Sequence, residues 1–197
     1  ESETMRLIGQ ISKKLQEKYP SICYHLFSGN ADDVLEKLDK GLLDFGVLIA
    51  PVDIRKYEYI KFPKTDIWGL LMRKHSHLAK NKVIKPQDIL DIPLICSRQT
   101  LVREDISKWI GKDINNLNVV SSYNLIYNAS LMVEEGVGYA LCLDKLINTT
   151  GDSALCFRPL EPRLEVEVYI VWKKSQIFSK TSKKFLEVLQ MELLEEI

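Results

Sequence analysis

The sequence predicts an α/β protein of two related subdomains, each a mostly parallel sheet with helices packed on it. Three observations carry this expectation. The stretch "FSGNADDVLEKLDKGLLDFGVLI" (27–49) has a polar opening, a helical run, a stop at Gly41 and an apolar strand, and "SSYNLIYNASLMVEEGVGYAL" (121–141) repeats that plan with its stop at Gly136. The offset is steady: 95 residues separate Ser2 from Ser97 and Gly41 from Gly136, and 94 separate Asn30 from Asn124. Near-continuous apolar runs such as "DFGVLI" read as strands buried in a parallel sheet.

Taken in order, Met5, Ile8, Ile11 and Leu15 recur at helical spacing over Thr4–Tyr19, and Pro20 ends that helix. "ICYHLF" follows as a strand and "SGN" as a turn. Asn30 is the expected N-cap of the next helix, with Asp32 and Asp33 suiting its positive first turn. Val34, Leu35 and Leu38 form the buried face, and Gly41 fits the left-handed C′ position. A strand over Ile67–Met72 leads into a basic loop and a short helical turn. The second copy then runs as strand "IPLIC", polar loop "SRQT", helix "LVREDISKWIG" stopped at Gly111, strand "LNVVSS", the helix up to Gly136, and strand "YALCL". A long strand "LEVEVYIVWKK" and an amphipathic helix ending at Glu196 close the chain. The strands at 67–72 and 164–172 are expected to cross between the subdomains as a two-stranded hinge. Subdomain I then comprises 1–70 and 170–197, subdomain II 71–169, with a ligand cleft between them. The first copy has no strand ahead of Glu1, so the chain is expected to be a fragment.

Composition narrows the function. Acidic and basic residues balance at 27 each, which argues against direct nucleic-acid binding by this chain. No apolar run reaches the roughly 18 residues of a membrane helix, and "ESETMRLIGQ" lacks the pattern of a signal peptide. Cys23, Cys96, Cys142 and Cys156 are widely spaced among apolar neighbours, which favours buried free thiols in a reducing, cytoplasmic setting.

Ligands of open α/β sheets bind beyond the carboxyl ends of the strands, where helix N-termini converge. Four loops meet that description: "ESET" (1–4), "SGN" (28–30), "SRQT" (97–100) and "SYN" (122–124). Their short hydroxyl and amide side chains suit a small anion, although such residues at helix starts also serve simply as caps. Arg98 adds a bidentate clamp or, equally, a surface salt bridge. No catalytic residue and no metal ligand set is expected. His25 is read as a core or sheet-face residue, and His75 and His77 lack a third ligand. Neither a nucleophile elbow nor a phosphate-binding glycine motif is present.

These pieces resemble the effector-binding domain of LysR-type transcriptional regulators over nearly the whole chain. The resemblance is carried by "ES.T" at a helix start, "KLQEKYPSICYHLFSGNADDVLEKLDKGLLDFGVLI", "HSHLA", "DILDIPLI" and "MVEEGVGYALCLDKL", in order and at fitting spacing. It implies two Rossmann-like subdomains joined by a two-stranded hinge, a periplasmic-binding-protein-like (type 2) fold, with a small effector between them and no cofactor. It further implies a cytoplasmic regulator that meets DNA only through an N-terminal winged helix-turn-helix outside this sequence. A homodimer is expected, with a tetramer as the alternative in the full-length protein, and no membrane partner. Carried over by position, the effector contacts fall on Ser2, Thr4, Asn30, Ser97, Arg98, Gln99, Thr100, Tyr123 and Asn124. The rival readings are a solute-binding protein of a transporter, an enzyme on the same scaffold, and a redox sensor using Cys96.

Overall fold

A computed structural model describes residues 1–195, with the side chains of residues 102, 194 and 195 left aside; the expected helix end at Glu196 lies outside the described residues. In chain order the elements are α1 (Met5–Lys18), α2 (Ala31–Asp39), β1 (Gly46–Ile49), β2 (Tyr57–Lys61), β3 (Asp66–Arg73), β4 (Leu94–Ser97), α3 (Glu104–Ile110), β5 (Val119–Tyr123), α4 (Ile126–Glu134), β6 (Tyr139–Leu143), β7 (Leu155–Pro159), β8 (Glu165–Val166), β9 (Val168–Lys173) and α5 (Lys180–Glu195). The chain divides into one unit of Glu1–Asp66 with Val166–Ile197 and another of Ile67–Glu165.

In the first unit β9 lies between β1 and β2, and both pairings are antiparallel. This corrects the expectation of a mostly parallel sheet. The chain returns from the second unit to supply the central strand, which runs opposite to the two strands laid down first. Alternation along β9 then separates two cores. Val168 and Ile170 join Ile8, Ile11 and Leu15 of α1 and Phe185 and Leu189 of α5. Val171, on the other face, joins Val34 and Leu38 of α2, Leu48 and Tyr57.

Residues 22–27 are not a strand, also against expectation, since no described strand lies beside them to complete a ladder. Ile22 and Tyr24 pack on the first core, whereas Cys23, His25 and Leu26 are exposed. Cys23 therefore departs from the buried-thiol expectation and His25 from a core position, while Cys96, Cys142 and Cys156 are buried and all four cysteines are free.

The second unit holds a mixed sheet in the order β5-β4-β6-β3-β7, with β8 added on β3. The pairs β4–β5 and β4–β6 are parallel, and β3 runs antiparallel to β6 and β7. Leu71, Ile95, Ala140 and Cys142 share the face that packs on Ile126, Ala129 and Val133 of α4. By alternation Trp68, Leu70 and Met72 occupy the opposite face, and all three are buried. The long strand expected at 164–172 is two pieces, β8 and β9, because its first residues pair with β3 and its later ones with β1 and β2.

The repeat is sharpest at the helix stops. Gly41 N–H donates to Leu38 O at 3.0 Å and Leu42 N–H to Lys37 O at 2.9 Å; Gly136 N–H donates to Val133 O at 3.0 Å and Val137 N–H to Met132 O at 3.0 Å. These are two Schellman caps at the same offset, each with a left-handed glycine, φ +69° at Gly41 and +86° at Gly136. Their surroundings differ: a Cβ on Gly41 meets nothing within 4 Å, whereas one on Gly136 falls 2.7 Å from Cζ of Arg73.

Gly41→Ala is therefore expected to cost about 1 kcal/mol, the left-handed penalty of an L-residue. Gly136→Ala should cost only a few tenths of a kcal/mol more, because what must also move is the flexible end of the Arg73 side chain. Denaturant midpoints of the two variants check the difference; equal losses would show that Arg73 gives way freely.

Candidate functional site

The carboxyl ends of β4 and β5 are brought together by their parallel register. Cys96 pairs with Ser122 and Ser97 with Tyr123, and the Arg98 N–H carries the ladder one step further by donating to Tyr123 O at 2.9 Å. The six second-unit residues selected from sequence, Ser97, Arg98, Gln99, Thr100, Tyr123 and Asn124, thus lie along one short stretch of sheet edge. In the first unit Ser2 and Thr4 meet at the start of α1, where the buried Ser2 Oγ accepts from the Thr4 N–H at 3.0 Å. Asn30 stands separately at the start of α2, in a full capping box. Its side chain accepts from Asp33 N–H at 2.9 Å, and Asp33 Oδ2 accepts from Asn30 N–H at 3.3 Å.

Several of these groups are already committed within the protein. Ser97 Oγ accepts from Thr100 N–H at 3.0 Å and shares a hydrogen bond with Thr100 Oγ1 at 2.6 Å, and Thr100 is fully buried. Tyr123 packs its ring on the α4 core and donates its hydroxyl to Leu141 O at 2.9 Å. Arg98, Gln99 and Asn124 are exposed, and the Arg98 guanidinium has no carboxylate partner among the described residues.

The helix starts differ from expectation. After "SRQT" the chain makes a 3-10 turn over Thr100–Val102, and α3 begins only at Glu104. Asn124 does not cap α4, whose N-cap is Leu125; the Asn124 carboxamide instead accepts from Leu125 N–H at 2.9 Å. This edge therefore presents side chains more than helix N-termini.

A group absent from the sequence reading stands in the same part of the unit. Trp68 on β3 pairs with Leu143, the last residue of β6. Two residues on from the Cys96–Leu141 pair, Leu143 is level with Arg98, which is level with Asn124 one step past the Ser97–Tyr123 pair. The Arg103 guanidinium lies 5.3 Å from the centre of the Trp68 ring. Arg103 also grips Asp105 through both carboxylate oxygens, Nε to Oδ1 at 2.9 Å. Burial alone raises the Asp105 pKa, but the Arg103 hydrogen bonds and charge outweigh it and hold the carboxyl below its ordinary value. Trp68 Nε1 is buried without a hydrogen-bond partner among the described residues. Strand alternation already grouped Trp68 with Leu70 and Met72, yet nothing in that pattern announces an unsatisfied donor or an arginine arriving from 35 residues downstream.

No group of three or more potential metal ligands occurs among the described residues. Cys96 is buried, and burial pushes its thiol up to about 12, far from the low-pKa thiolate that redox chemistry uses. No helix among the described residues is long and apolar enough to cross a membrane.

Ser97→Ala is expected to destabilise the domain by roughly 1–3 kcal/mol, because the buried Thr100 N–H and hydroxyl both lose their partner. Arg98→Ala, exposed and unpaired, should stay within about 0.5 kcal/mol of the parent. Urea melts of both variants check this, and an equal loss in each would mean that Arg98 is structural.

Comparison with known proteins places these features in a family. The chain is 22% identical over 182 residues to YvbU, an uncharacterized HTH-type transcriptional regulator of Bacillus subtilis, covering 91% of this chain and 60% of that protein. The chain thus spans less than two thirds of that relative's length. Among solved structures it resembles the effector binding domain of QuiR in complex with shikimate, with a TM-score of 0.80 at 15% identity over 95% of this chain and 90% of that one. It also resembles the CcmR regulatory domain of Synechocystis PCC6803 in complex with 2-PG, with a TM-score of 0.76 at 16% identity over 96% and 92% of the two chains. The LysR substrate binding domain profile matches residues 3–194, and the chain belongs to that family.

Proposed function

We propose that this domain senses a small anionic metabolite for a LysR-type transcriptional regulator. The observation that carries this reading is the edge where β4 and β5 end, which presents an exposed Arg98 with no carboxylate partner among the described residues, beside Gln99 and Asn124. Such a guanidinium suits bidentate capture of a carboxylate or phosphate. Ser2, Thr4 and Asn30 are the proposed contacts from the first unit. Ser97, Thr100 and Tyr123 hold the second-unit edge in shape through their internal bonds and offer their remaining lone pairs. The shikimate and 2-PG named for the two structural neighbours are both anions, which supports the same ligand class.

The domain acts by binding and not by catalysis. Effector binding favours one arrangement of the domain and of its dimer, and so changes how the regulator presents its DNA-binding parts in the cytoplasm. DNA is engaged outside this sequence, in keeping with the formal net charge of zero. The rival reading, a transporter's solute-binding protein, is not favoured, since the matched family and the curated relative are regulators.

A thermal-melt screen against small carboxylates, amino acids, organophosphates and sulfate tests this function. A ligand at about 100 times its Kd adds roughly 2.7 kcal/mol, an easily read shift. The shift should vanish in Arg98→Ala at equal ligand concentration. A cooperative melt that no anion moves would overturn the reading.

A further inference from the structure

We infer that Trp68 is an effector-contacting residue, its indole N–H donating to a hydroxyl or oxo oxygen of a ligand whose acid group is held at Arg98. This deepens the function proposed above and rests on it. An indole N–H is a donor only, so what satisfies it must be an acceptor. Buried polar groups are satisfied in the great majority of cases, and the contrast within this unit is direct. Trp109, on α3, donates its indole N–H to Pro162 O at 2.6 Å, whereas Trp68, only 4% exposed, has no partner for Nε1.

Position adds to the case. Trp68 stands at the end of the sheet where β4, β5 and β6 finish, level with Leu143 and Arg98 in the strand registers. That is the end at which open α/β sheets take their ligands. Two strand spacings separate Trp68 from Arg98, about 10 Å, and the reach of an arginine side chain shortens the remaining gap to the scale of one small molecule. The Arg103 guanidinium over the Trp68 ring is already matched by Asp105. Asp66, buried and two residues back on the same face of β3, adds a further acid near the indole, so an uncharged oxygen suits this place better than a second acid group. The ligand class is a small hydroxy- or oxo-carboxylic acid, its acid at Arg98 and its second oxygen at Trp68.

The test uses the intact domain with 15N-labelled tryptophan, which gives one indole signal each for Trp68, Trp109 and Trp172. The probes are shikimate, with its ring hydroxyls, and benzoate, an acid with no second oxygen function. Expected is a downfield shift of the Trp68 indole with shikimate, none with benzoate, and about ten-fold weaker shikimate binding in Trp68→Phe, the worth of one buried hydrogen bond. If shikimate binding is lost in Arg98→Ala while the Trp68 signal stays still and Trp68→Phe binds within two-fold of the parent, the Trp68 assignment is wrong and the anion-sensing function stands. If neither probe moves any indole signal and the broader melt screen is also flat, both fall. Should Trp68→Phe not fold, the indole shift in the parent domain decides alone.

Discussion

The central constraint on the second unit is the double parallel pairing of β4. Its residues Leu94, Ile95 and Cys96 are fully buried, and its backbone is bonded to β5 on one side and β6 on the other. A strand enclosed in this way has no freedom to slip, because both of its faces are buried and a one-residue shift would send every side chain into the packing of the opposite face. The register therefore dictates that Ser97 ends beside Tyr123 and that the exposed residues following each strand emerge together. The Ser97–Thr100 hydrogen bonds then close the turn beneath them. The geometry of this edge, the proposed ligand site, is thus set by the burial of residues inside the sheet.

The first unit reaches a similar layered plan by a different route. Its sheet is antiparallel, with a central strand that arrives after the chain has built the whole second unit. Helices α1 and α5 cover one face and α2 the other, so β9 is buried on both sides: Val168, Ile170 and Val171 are all inaccessible. The two units nonetheless share their helix punctuation, down to paired Schellman bonds at Gly41 and Gly136. Local cap chemistry is thus preserved between sheets whose strand directions differ.

Polar satisfaction separates the site residues into two groups. Ser2, Asn30, Ser97, Thr100 and Tyr123 spend side-chain hydrogen bonds within the protein, which makes them structural supports. Arg98, Gln99 and Asn124 remain exposed, Asn124 with its carboxamide oxygen already accepting from the Leu125 N–H. Trp68 is the exception in the other direction, a buried donor with no acceptor. Hydroxyl and amide side chains in such loops suit helix capping and ligand contact alike, because one chemistry serves both.

Much of the secondary structure was legible in the chain, because its signals are local. Apolar spacing marked α1 and α2, Asn30 with Asp33 marked a helix start, and Gly41, Gly111 and Gly136 marked three helix ends, each requiring a left-handed backbone. The family and its two-sheet α/β fold were legible for the same reason, as ordered motifs at fixed spacing. Strand direction was not. Whether β1 lies beside a parallel or an antiparallel neighbour depends on β9, over 100 residues away, and a strand pattern reports only which faces are buried. The segment "ICYHLF" has strand-forming residues but no ladder, since pairing requires a partner that composition cannot supply. The meeting of Trp68 with Arg103 was likewise set by packing. An apolar alternation and a charged residue before a helix are each ordinary, and their juxtaposition becomes visible only once β3, β6 and β4 lie side by side.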